Sequence, residues 1–138
     1  MFQALAHVAF LVSDREASLR FYRDALGLTP QFEMEDEEGR PWIQYLKIAD
    51  RQFLELFYPH PGEAPGPAPD TYYRHLCLEC ADLPAVVDTL RERGVAIDIE
   101  PHRGADGNWQ AWIHDPDGNR IELMAYTPDS PQLRQPEA

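Results

Sequence analysis

The sequence predicts an α+β fold made of two βαβββ modules, and three observations predict it. Two apolar stretches each carry a histidine and end in an aspartate: Ala6–Asp14 lies over Arg74–Asp82, so that His7 and His75, and Asp14 and Asp82, are 68 residues apart. Each stretch is followed by a helical pattern that stops at a glycine, Gly27 or Gly94. Each half then closes on a strand that sets a glutamate among apolar neighbours, Phe53-Leu54-Glu55-Leu56 and Arg120-Ile121-Glu122-Leu123, 67 residues apart. A repeat of one supersecondary unit is the economical description.

In chain order, Ala4–Val12 is apolar and β-rich and reads as a strand interrupted by His7. Asp14 is the N-cap of a helix over Arg15–Leu26, with Ala17, Phe21, Ala25 and Leu28 near one face and Leu19, Tyr22 and Leu26 widening it. Strands follow at Gln31–Asp36, Trp42–Ile48 and Gln52–Tyr58, divided by turns at 37–41 and 49–51. Residues 59–70 are too dense in Pro and Gly to propagate helix or strand and form a linker. The second half opens with a strand from Thr71 to about Cys80. Asp82 caps a helix to about Arg93, with Pro84 tolerated in its first turn. Strands then fit Ala96–Glu100, Trp109–His114 and Arg120–Tyr126. The Asp115-Pro116-Asp117-Gly118-Asn119 reversal precedes the last of them, with Gly118 and Asn119 tolerating positive φ. Residues 1–126 are expected to form one domain, with modules at about 4–58 and 71–126, and the polar tail 127–138 to be mobile.

A chain of 138 residues is long enough to bury a core, and its net charge of -12 argues against nucleic acid or an anionic membrane as partner. An anionic substrate would need a local cation to offset that field. No apolar run approaches the roughly 20 residues of a membrane span, and residues 1–7 lack the features of a signal peptide, so the cytoplasm is the expected location. Cys77 and Cys80 are three apart on a strand and so face opposite ways; both are expected to be buried thiols in a reducing compartment.

The chemistry lies in the interruptions of the strands. Glu122 sits on a strand apolar on both faces, where an unpaired carboxylate needs a metal, a partner or a proton unless it reaches water. A single histidine on an apolar strand is more often a core or edge residue than a ligand. Four interruptions at matching places in both halves, His7, Glu55, His75 and Glu122, outweigh that reading. Two imidazoles and two carboxylates suit one divalent ion, Zn, Ni, Co, Mn or Fe, and leave open positions on a six-coordinate centre.

Residues 4–126 resemble the vicinal oxygen chelate superfamily and, within it, glyoxalase I (lactoylglutathione lyase). The resemblance includes the helix end Phe21-Tyr22-Arg23-Asp24-Ala25-Leu26-Gly27-Leu28 and the Asp115-Pro116-Asp117-Gly118 turn. It implies the glyoxalase/bleomycin-resistance/dihydroxybiphenyl-dioxygenase fold, with curled mixed sheets enclosing a metal, and a homodimer acting on a small molecule. It also implies a metal-dependent lyase or isomerase that moves a proton through a metal-bound enediolate; a methylglyoxal–thiol hemithioacetal is one such substrate. Glu122 would be the base and Glu55 the second candidate. By the same resemblance the strand carrying Gln110, Trp112 and His114 lines the substrate cavity, with Gln110 an extra polar contact and Trp112 a wall or stacking surface. Core packing is the plain alternative for Trp109 and Trp112, and is expected of one of them; exposure to water at the mouth of a barrel is the equal alternative for Gln110. His60 and His102 fall in Pro-rich loops.

Departures from that pattern matter too. Glutathione-using relatives commonly have Arg four residues after the first ligand and Asn four after the second, where this chain has Leu11 and Pro59. Metal isomerase is therefore a better reading than glutathione-specific isomerase. The rivals are another enzyme of the superfamily, an epimerase or dioxygenase, and a metal-free drug-binding protein of the bleomycin-resistance kind.

Overall fold

The computed structural model describes residues 5–60, 62 and 74–133. The chain divides into two compact units, Met1–Tyr72 and Tyr73–Ala138. In the first, β1 (His7–Leu11) leads into α1 (Arg15–Leu19), which continues as a π-helical stretch over Arg20–Ala25; β2 (Thr29–Glu35), β3 (Pro41–Ala49) and β4 (Gln52–Phe57) follow. The sheet order is β1-β4-β3-β2. β1 runs parallel to β4, and the other pairs are antiparallel.

Asp14 caps α1 by accepting the Ala17 N–H at 2.9 Å. The wider winding shows at the helix end, where Leu26 N–H reaches Phe21 O at 2.9 Å, five residues back. Ser18, Leu19 and Tyr22 are buried and Phe21 is half-buried, so the buried stripe is narrower than the sequence predicted. Against it lie Phe10, Val12, Leu46, Leu54, Leu56 and Tyr58, all buried. Because successive strand residues alternate, His7, Ala9, Phe53, Glu55 and Phe57 occupy the opposite, helix-free face.

The second unit repeats this arrangement with β5 (Leu76–Glu79), α2 (Leu83–Glu92), β6 (Ile99–Arg103), β7 (Trp109–His114) and β8 (Arg120–Ala125) in the order β5-β8-β7-β6. β5 is parallel to β8 as β1 is to β4. Asp82 caps α2 through Ala85 N–H, and Leu83, Val87 and Leu90 bury its inner stripe. The expected pair of βαβββ modules is what forms, as two mixed four-stranded sheets, and neither closes into a barrel.

Several expectations are corrected. β6 covers Ile99–Arg103 and not Ala96–Glu100, so His102 stands on an edge strand, where Pro101 costs no ladder hydrogen bond. Cys77 is exposed and Cys80 half-buried, because β5 presents Cys77 on the helix-free face. In the Asp115–Asn119 turn only Gly118 takes positive φ; the buried Asp115 carboxylate holds the loop by accepting from Asp117 N–H, Asn119 N–H and Asn119 Nδ2 at 2.7–2.9 Å. At the start of the expected tail, side chains and backbone are hydrogen-bonded to the β6–β7 turn. Buried Thr127 donates its N–H to Asn108 Oδ1 at 3.1 Å, and Asn108 Nδ2 donates to Gln132 Oε1 at 2.9 Å. Most of the expected linker and residues 134–138 lie outside the described residues.

Candidate functional site

In the first unit Glu55 occupies the centre of β4 with Ala9 beside it on β1 and Tyr45 on β3. His7, two residues before Ala9, shares their face, and its Nδ1 lies 3.3 Å from Glu55 Oε1. The imidazole is half-exposed while the Glu55 side chain is only 6% exposed. The Tyr45 hydroxyl also donates to Glu55, and that bond raises the Tyr45 pKa above the usual phenol range. Phe32 stacks on Tyr45 at 4.2 Å and Phe53 meets it edge-on at 6.5 Å. The carboxylate is thus held in aromatic surroundings, where an unpaired charge would be costly.

The second unit builds the same pair at the equivalent register. Glu122, on β8, is flanked by Cys77 and Trp112. His75 Nε2 lies 3.1 Å from Glu122 Oε2, with the glutamate side chain 12% exposed. The Trp112 ring meets His75 edge-on at 4.9 Å, Arg120 lies over the indole at 4.3 Å, and Trp112 Nε1–H donates to Gln110 Oε1 at 2.8 Å. The arginine covers part of the surface on which a ligand was expected to stack. Neither tryptophan is in the core: Trp112 is half-buried on the Glu122 face, and Trp109 is 43% exposed beside Arg103. Loss of hydration, and then the Glu122 charge, push the Cys77 thiol up to about 12.

The four predicted ligands therefore come together as two pairs, one in each unit. Among the described residues no group of three or more His, Cys, Asp or Glu side chains gathers as a metal site. The donor chemistry of each pair suits a divalent cation: an imidazole nitrogen faces a carboxylate oxygen that is almost removed from water. His60 lines a separate cleft of about 340 Å³ with Asp36, Glu37, Glu38, Arg40 and Trp42.

Three features escaped the sequence reading. Tyr45 could have been found only from the β3–β4 register. Arg120 was signalled by its place two residues before Glu122 on one face. The His114 Nδ1–Asp98 pair, 2.8 Å to each carboxylate oxygen, joins residues 16 apart, with Asp98 immediately before β6.

Two four-stranded mixed sheets of identical order, each with a His–Glu pair on its helix-free face, define a paired βαβββ protein. Residues 4–123 match the family described as the Glyoxalase/Bleomycin resistance protein/Dioxygenase superfamily, and the chain belongs to that superfamily. It is 31% identical over 121 residues to the Escherichia coli (strain K12) protein YaeR, covering 85% of this chain and 92% of that one. It is 27% identical over 129 residues to a probable lactoylglutathione lyase of Synechocystis sp., covering 87% and 93%. Among solved structures, TnmS3, an antibiotic binding protein from Streptomyces sp. CB03234, is similar with a TM-score of 0.71 and 30% identity, covering 91% of this chain and 98% of that one. No helix among the described residues is long and apolar enough to cross a membrane.

Proposed function

We propose that this protein is a metal-dependent lyase or isomerase of the glyoxalase I type, working as a homodimer on a small vicinal-oxygen substrate. The observation that carries the reading is the repetition of a His–Glu pair at one register in both units, 3.3 Å in the first and 3.1 Å in the second. His7, Glu55, His75 and Glu122 would hold one divalent ion, with Ni, Zn or Co the best suited. When bound, the ion supplies Lewis acidity toward the substrate's adjacent oxygens.

The remaining work falls to the chain's own side chains. Glu122 takes the proton from one substrate carbon and returns it to the next, and Glu55 is the second candidate for that role. The near-complete burial of both carboxylates keeps competing water from the proton. Gln110 and Trp112, on the Glu122 face, contact the substrate. Leu11 and Pro59 offer no charged or amide group to a glutathione chain, which favours a hemithioacetal of another thiol or a different oxygenated substrate.

Metal analysis of purified protein tests the first half of this reading: uptake below a tenth of an equivalent of Ni or Zn sinks it. Assay of methylglyoxal hemithioacetals made with glutathione and with 2-mercaptoethanol tests the second, with turnover at background in metal-loaded protein as the adverse result. The similarity to an antibiotic binding protein supports one alternative, a sequestering role without catalysis. Tight binding of an aromatic drug by metal-free protein would favour it.

A further inference from the structure

A run of contacts in the second unit begins at a turn and ends on a candidate ligand. Gly104 opens the turn between β6 and β7, donating its N–H to Asn108 O at 2.8 Å and accepting from Gly107 N–H at 3.0 Å. Its backbone lies outside the left-handed region, so the turn itself does not demand glycine there. Gln110 does. A Cβ on Gly104 would overlap Gln110 Nε2 and stand 2.9 Å from Gln110 Cδ and 3.1 Å from Asp106 Oδ1. The amide therefore lies directly over the bare glycine. Its orientation is fixed as well, because an indole N–H can only donate: Oε1 faces Trp112 and the NH2 group faces the turn.

Trp112 is in this way held at three places. Its N–H is bound by Gln110, its face carries Arg120, and its ring meets His75 edge-on. The His75 imidazole in turn keeps Nε2 3.1 Å from Glu122. From this geometry we infer that Gly104 and Gln110 are positioning residues: they fix the indole of Trp112, and the indole holds His75 toward Glu122. That His75 acts in a metal site rests on the proposed function; the linkage from Gly104 to Trp112 does not.

The test follows the Trp112 indole N–H by ¹⁵N–¹H NMR of the full chain. Trp112→Phe assigns the signal, and Trp109, on the opposite face of β7, serves as internal reference. Gln110→Ala is expected to shift the Trp112 resonance and to speed its hydrogen exchange about tenfold. Gly104→Ala should do the same by displacing the amide. The decisive variant is Gly104→Ala/Gln110→Ala, which should match Gln110→Ala alone, because without the amide the added methyl has nothing to displace. Additive effects in the double variant, or a Gly104→Ala spectrum with the Trp112 signal unmoved, overturn the inference. Should Gly104→Ala fail to fold, Gln110→Ala decides alone, an unmoved Trp112 resonance being the adverse result. Ni²⁺ titration adds a separate arm: Gln110→Ala should weaken uptake about tenfold if Trp112 supports a ligand. Absence of uptake by the unmodified chain overturns the metal reading and leaves the indole signal to judge the linkage.

Discussion

Replacing Tyr45 by Phe removes one hydroxyl from a buried carboxylate and leaves its aromatic surroundings in place. Glu55 is 5% exposed, and Tyr45 and His7 are its neighbours on the helix-free face. A hydrogen bond to a charged group is worth about 1.5–3 kcal/mol, and the ring stack with Phe32 survives the substitution. With a urea dependence of about 2 kcal/mol per molar, the metal-free variant should unfold about 1 M earlier. Pairing Tyr45→Phe with Glu55→Gln in a double-mutant cycle should return a coupling of about 1–2 kcal/mol. The sign with pH also follows. The Tyr45 pKa is raised by its bond to Glu55, so the stabilisation is complete below about pH 10 and is lost as pH climbs through the raised value. An unchanged urea midpoint, or strict additivity in the cycle, would refute the claim that this hydroxyl supports Glu55.

Three further outcomes are expected. Glu122→Gln should cut turnover about 10²–10⁴-fold while largely sparing metal uptake, and a fully active variant would show that the base lies elsewhere. Asn108→Ala should cost about 1–3 kcal/mol, since it strands the buried Thr127 N–H; an unchanged melting temperature would mean that the 127–133 segment is not fastened there. Tyr58, buried with its hydroxyl on Glu33 at 3.1 Å, is pushed up to about 12 chiefly by burial. Its contribution to stability should hold to about pH 10 and fade toward pH 12, with one tyrosine ionising last in an absorbance titration and Tyr58→Phe removing that phase. Ionisation of all the tyrosines together near pH 10 would contradict it.

Much of the candidate site was legible because it depends on local periodicity. His7 and Glu55, and His75 and Glu122, were marked as polar breaks in apolar strands, and the structure pairs each within its own unit. Alternation likewise placed Gln110 and Trp112 on one face, where they are hydrogen-bonded. That Trp112 stands opposite Glu122 came only with the register of β7 on β8, which runs unbroken from the Asp115–Asn119 turn. Less local features were harder to read. The buried state expected of Cys77 depends on what covers the second face of a sheet, and in this unit α2 covers only the first.

By itself the sequence determined the two repeated modules, their caps and helix stops, and which strand residues share a face, because capping and strand alternation act over a few residues. Tertiary structure alone decided which side chains meet across strands. Counted back from the Ala49–Gln52 turn, an unbroken register would set Leu46 opposite Glu55. The extra residue Ile48, bulged between Lys47 and Ala49, shifts the pairing by one and brings Tyr45 there instead. A one-residue slip exchanges the faces of a strand, and no local pattern in Trp42–Ile48 announces it. Gly104 is the same lesson on a smaller scale. Nothing in its own backbone asks for glycine; the space a Cβ would need is taken by the end of the Gln110 side chain, on the next strand.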